Sequence, residues 1–109
     1  MRIRILESAK RDLDEGYAFY ESQEDGLGGY FLSSVRADIE SLRISGGVHQ
    51  VTHHDYHRLL CRTFPFAVFY LKDGEVTTVY AVVDCRRDPL WIHRHLSESD
   101  EQNTSVKPS

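Results

Sequence analysis

Two apolar runs in close succession constrain this chain more than any other feature. Residues 66–71, FAVFYL, are apolar at every position, and residues 76–83, VTTVYAVV, are interrupted only by Thr77 and Thr78. Asp73 and Gly74 stand between them, a pair that favours the positive φ angles of a tight type I′ turn. Val, Phe, Tyr and Thr suit a pleated surface. The runs predict a β-hairpin in the middle of a sheet, covered on one face and partly on the other. The rest of the chain has to supply the cover.

With 109 residues there is material for one domain and one core. A composition of 40% apolar and 28% charged residues is that of a soluble globular protein. No apolar run reaches bilayer length and the N-terminus lacks a signal-peptide core, so no membrane partner and a cytoplasmic location are expected. Cys61 and Cys85 fall in predicted strands without metal spacing and read as free, buried thiols; Cys85, next to two arginines, would have a lowered pKa if exposed. The formal charge of −4 is uneven: residues 47–96 carry six basic and five acidic side chains and all six histidines, whereas residues 1–46 carry six basic and nine acidic. That excess is too small for a strong nucleic-acid footprint.

In chain order, Arg2 to Leu6 alternates and reads as a short strand near a sheet edge. Ser8 is the expected N-cap of a helix over Ala9–Ser22, with Ala9, Leu13, Gly16 or Tyr17, and Tyr20 inward and Glu21 among the outward residues. Asp25-Gly26 breaks it. A second helix follows Gly28-Gly29, carrying Phe31, Leu32, Val35, Ile39 and Leu42 on one stripe, and stops at Gly46-Gly47. Two amphipathic helices joined so briefly form an antiparallel pair that needs a shared floor.

Residues 48–54 read as a loop with a short strand at Gln50–Thr52. Tyr56–Phe64 reads as a strand that Pro65 turns into the hairpin. Residues 90–96 read as a short helical or irregular segment, and residues 97–109 as a disordered acidic tail. The predicted architecture is β-α-α-β-β-β: an α+β domain over residues 1–96, with a helical hairpin on one face of a small twisted antiparallel sheet. Leu60, Phe66, Val68 and Tyr70 are then assigned to the uncovered face. Such a patch would exceed what a monomer exposes and would be covered by a partner's helix or added strand.

The blocks SAKRDLDEGYAFYESQ, YHRLLCRTFPFAVFY and VYAVVDCRRDPLWI, in that order around the Asp-Gly turn, resemble the RelE/ParE superfamily of type II toxin–antitoxin toxins, nearest its ParE-like branch. The resemblance spans residues 1 to about 96. It implies the fold just described, a cognate antitoxin partner with which the chain forms an oligomer, no cofactor, and one of two activities. ParE-type members bind DNA gyrase; RelE-type members cut messenger RNA on the ribosome. A nuclease needs cationic clamps and proton-transfer groups around one phosphate. Arg62, Arg86 and Arg87 are the candidate clamps, with His93, or His57 or His95, as the proton-transfer group. The chain holds three lysines, none expected within the strands that would line such a site, and is poorly equipped for that chemistry. The gyrase reading needs only a surface, for which Arg86, Arg87, Trp91 and Arg94 are the candidates, Trp and Arg being enriched at binding hot spots. The competing structural roles are a core-closing Trp91 and a salt-bridged Arg86-Arg87-Asp88 turn. An inactive relative that keeps only protein binding is the third reading. His53, His54, His57, His93 and His95 lack the spacing and the carboxylates of a metal site, and none is expected.

Overall fold

The computed structural model describes residues 2–45, 51–52 and 56–106. The chain runs β1 (Arg2–Ile5), α1 (Glu7–Gln23), α2 (Leu27–Glu40), α3 (Leu42–Ser45), β2 (Val51–Thr52), β3 (Tyr56–Leu60), β4 (Phe66–Asp73), β5 (Val76–Asp84) and α4 (Pro89–Val106). The five strands form one sheet in the order β1-β5-β4-β3-β2. The expected α+β arrangement is present, with β1 at an edge. Its pairing with β5 is parallel, so the sheet is mixed rather than wholly antiparallel. The crossover through α1 and α2 makes this possible, since parallel neighbours need a long connection. The predicted Gly46-Gly47 stop and His53 and His54 lie outside the described residues.

The central hairpin differs from expectation in one detail. Asp73 pairs with Val76, so the two turn residues are Gly74 and Glu75, and Gly74 supplies the positive φ of 59°. Further along, Phe69 faces Ala81 but Tyr70 faces Val79, which leaves Tyr80 as an extra, bulged residue on β5. At the other end of β4, the Phe66 N–H donates to the Phe64 carbonyl at 2.7 Å, closing a three-residue turn on Pro65. Both phenyl rings enter the core from that turn.

The αα-hairpin covers one face. Phe31, Val35 and Ile39 of α2 and Ala9 and Leu13 of α1 pack with Leu59, Phe66, Val68, Tyr70, Val79 and Val82 in one buried cluster. Leu42 is also fully buried, from α3. The two helices meet closely at glycines. A Cβ on Gly16 would fall 2.5 Å from the Phe31 ring, and one on Gly28 would fall 2.8 Å from the Tyr17 carbonyl. Gly16, not Tyr17, is the inward residue; Tyr17 is 38% exposed. Glu21 does not simply face water. Its carboxylate accepts the N–H groups of Gly26 (3.1 Å) and Gly28 (2.9 Å), capping α2 where the helix dipole is positive.

The opposite face is covered too, which overturns the expected open patch. Ile92 and Leu96 of α4 pack on Tyr56, Ala67, Phe69, Tyr80, Ala81 and Val83. Phe66, Val68 and Tyr70 are buried under the αα-hairpin, at 8%, 0% and 0% exposure, and present no surface to a partner. Leu60 stands opposite Ala67 and so lies on the other face from them, 55% exposed. Because residues 66–71 are apolar throughout, alternation could not say which residues face which layer.

The predicted disordered stretch after Leu96 is instead helical as far as Val106. Asp88 and Pro89 open the helix: the Asp88 carboxylate accepts the Leu90 N–H at 2.8 Å, and proline at the first helical position fixes a compatible φ. Ser99 is buried at 1% exposure, its hydroxyl donating to the His95 carbonyl at 3.0 Å.

Candidate functional site

The chemistry-bearing side chains gather where α1, the end of β5 and the start of α4 meet. The reason lies in β1. That strand ends at Ile5, opposite Val79, and beyond it β5 has no strand neighbour on that side. Residues around the start of α1 continue the pairing. The Leu6 N–H donates to the Val79 carbonyl (3.1 Å), the Ser8 hydroxyl to the Tyr80 carbonyl (3.0 Å), and the Val82 N–H to Asp12 Oδ2 (2.9 Å). Ser8 is therefore a sheet partner rather than the N-cap of α1, a position held by Leu6 with no side-chain bond.

Asp12, 7% exposed, turns its second oxygen to α4, where Oδ1 meets His95 Nε2 at 2.8 Å. That bond holds the imidazole above its ordinary pKa of 6.5; burial opposes it, and the Asp12, Glu98 and Glu15 charges add to it. The ring stacks on Trp91, with centroids 4.8 Å apart and planes 12° from parallel. The Arg87 guanidinium lies over Trp91, 4.2 Å from the ring centre. Asp12, His95, Trp91 and Arg87 thus form one continuous column. Beside it lies a groove of about 250 Å³ lined by Asp12, Glu15, Phe19, Asp84, Arg87 and Trp91. A second groove shares Asp12 and Glu15 and continues along α4 past Glu98.

The other arginines are engaged elsewhere. Arg86 forks onto Asp84, with Nε 2.9 Å from Oδ1 and Nη2 2.7 Å from Oδ2, and its own N–H donates to Oδ1. The pairing holds the Asp84 carboxyl below its usual range and raises the arginine. Arg86 also meets Tyr20, whose hydroxyl is pushed up by burial and pulled back by the guanidinium charge. Arg62 ties the β3–β4 loop to α2: its N–H and Nε both reach the buried Asp38 carboxylate at 3.2 Å. His93 and Arg94 lie on the exposed side of α4, and His57 stacks on Tyr70 within the sheet.

Of the four candidate catalytic residues, only Arg87 lines either groove; Arg62, Arg86 and His93 do not. Arg87, Trp91 and Arg94 share the start of α4, with Leu90 beside them at 63% exposure. Trp91 packs against the second core, as the structural role expected, and it also lines the groove. Sequence reasoning missed Asp12, which reads as an acid placed to favour the positive end of the helix dipole, and Glu15, which reads as an outward residue of an amphipathic helix. The Asp88-Pro89 pair was the unused signal for the long helix that faces them.

Both cysteines are free. Cys85 is exposed, in the turn after β5 rather than buried in a strand, and its thiol is raised by partial burial more than Arg58 lowers it. Burial, then Asp38, pushes Cys61 to about 12. Neither is an activated nucleophile. Among the described residues no group of His, Cys, Asp or Glu is arranged to hold a metal, and no helix is long and apolar enough to cross a membrane.

No family model matches the chain, and no curated protein matches it in sequence. The fold does have a solved counterpart. A chain in the structure of the chromosomal ParDE TA system from P. aeruginosa superposes with a TM-score of 0.69, covering 77% of this chain and 95% of that one at 16% identity. The fold is ParE/RelE-like. It agrees with the family resemblance of the sequence blocks.

Proposed function

We propose that this chain is the toxin of a type II toxin–antitoxin module, held in check by a cognate antitoxin, and that it acts by binding an essential target rather than by cutting RNA. The observation carrying this reading is the fold shared with a chain of the ParDE system, joined to the resemblance of the residues themselves. The non-enzymatic branch is favoured because the would-be nuclease groups do not converge. Arg62 is bonded to Asp38, Arg86 to Asp84, and Arg87 lies on Trp91. A phosphorane needs several cations aimed at one point.

DNA gyrase is the proposed target, and the first turns of α4 the surface that meets it. Leu90 and Arg94 are exposed there beside Trp91, an apolar and cationic combination suited to a protein hot spot. Cutting the chain after Pro89 would be a poor test, because it strips the cover from Phe69, Ala81 and Val83. Point variants are better. Induced expression of the wild type should arrest growth with filamentation and a DNA-damage response, and Leu90→Ala with Arg94→Glu should relieve the arrest while the protein stays folded. Codon-phased cleavage of translated messages would replace this reading with the ribonuclease, and normal growth would replace it with an inactive, protein-binding relative.

A further inference from the structure

The groove between α1 and the start of α4 has a property that the toxin reading does not use. Three carboxylates line it, those of Asp12, Glu15 and Asp84, against a single guanidinium that belongs to the chain itself. Asp12 is taken by His95 and Val82, and Asp84 by Arg86. Glu15 is different: among the described residues no hydrogen bond or ion pair engages its carboxylate, and it is exposed. Two aromatic side chains complete the lining, Trp91 and the half-exposed Phe19.

Arg87 shows what such a lining accepts. It lies in the turn before α4, exposed, with its guanidinium on the Trp91 ring and no carboxylate bonded to it among the described residues. The chain's own cation therefore occupies an aromatic face beside a groove in which Glu15 is the carboxylate left without a bonded partner among the described residues, and it is attached only through an exposed turn.

We propose that this groove receives an arginine side chain of a partner polypeptide, which displaces Arg87 from Trp91 and pairs with Glu15. A flat guanidinium suits the site better than an ammonium, because it can stack on an indole and fork onto a carboxylate at once. A polypeptide is the fitting source because the second groove continues from Asp12 and Glu15 past Arg11 and His95 to Glu98, so the α1–α4 seam offers a continuous cleft with charges of both signs for a segment to follow. The inference rests on the toxin reading only for the partner's identity, the antitoxin being the natural candidate.

The chain contains one tryptophan, so its fluorescence reports this site alone. The full-length protein would be titrated with the capped peptide Gly-Ser-Arg-Ser-Gly and with the same peptide carrying neutral, isosteric citrulline. The expected result is saturable quenching by the arginine peptide and none by the citrulline one. Glu15→Gln should weaken binding about tenfold, and Arg87→Gln, which removes the internal competitor, should tighten it by about three- to tenfold. Arg36→Gln, on the exposed side of α2, removes the same charge outside both grooves and should change binding little, with circular dichroism confirming that each variant is folded. Equal response to citrulline, no saturation below about 10 mM, or no greater tightening by Arg87→Gln than by Arg36→Gln would each overturn the inference. Growth arrest on induction tests the toxin reading separately, so a toxic chain with an unresponsive groove would remove only this proposal.

Discussion

The two faces of the sheet are covered in different ways. Under the αα-hairpin the contacts are apolar and aromatic: Phe31 and Val35 are fully buried, and the Phe31 ring lies 4.9 Å from Phe66 and 5.3 Å from Phe64. Under α4 the apolar contact is thinner, Ile92 and Leu96 with part of Trp91, and it is supplemented by the Asp12–His95 bond. The first face is held mainly by burial of apolar side chains, which have no ionisable group to titrate. The second is held partly by a titratable pair. One layer is permanent, the other conditional, and the groove lies on the conditional side.

The largest effect should come from breaking the permanent side. Phe31→Ala removes a fully buried ring from the hairpin core and should cost about 3–5 kcal/mol. Circular dichroism and Trp91 fluorescence should then report one shared transition at a much lower Tm. A variant that lost only the Trp91 signal would mean that the hairpin is not the primary core.

Leu96→Ala comes next, at about 2–4 kcal/mol, since Leu96 is fully buried against the sheet. It should raise hydrogen exchange along α4 more than along α2. Equal loosening of both helices would erase the distinction between the faces.

Asp12→Ala should cost about 2–3 kcal/mol, because it leaves the Val82 N–H without its acceptor and His95 without its partner. Its signature is selective: Trp91 fluorescence and α4 exchange should change while α2 exchange in the hairpin core holds. A double-mutant cycle with His95→Gln would show whether the pair itself, rather than the Val82 bond, carries the coupling.

The smallest effect is the dependence on pH. Because Asp12 raises the His95 pKa, the protonated imidazole favours the docked helix. This contribution is complete below the ordinary value of 6.5 and is lost as pH rises through the raised folded-state value. Glu15 and Glu98 face the same ring and act in the same sense, and Arg11 lines the adjoining groove. Thermal stability should therefore fall as pH rises above 6.5, and His95→Gln should flatten that slope. An unchanged slope in the variant would assign the dependence to another group.

Residues 66–83 and the stripe Phe31, Val35, Ile39 were enough to specify the hairpin strands, the helical pair and the α+β class. Uninterrupted apolar runs and a 3.6-residue repeat are local signals that few folds can satisfy. The site was less legible. On a helical projection Glu15 looks like a solvent-facing charge, whereas Asp12 falls at the margin of the stripe formed by Ala9, Leu13 and Gly16. What makes Asp12 a structural acceptor is the early end of β1, which leaves the Val82 N–H to be bonded from elsewhere.

The sequence by itself determined the strands of the central hairpin and the two helices of the αα-hairpin, because propensity and periodicity act over a few neighbouring residues. Tertiary structure decided which face of β4 looks toward which layer, that residues 97–99 join a helix docked on the sheet, and that Arg87, Trp91, His95 and Asp12 form a column. Those outcomes depend on contacts between residues up to 83 positions apart. A hydrogen bond or buried surface made across that separation leaves no periodic trace in the chain.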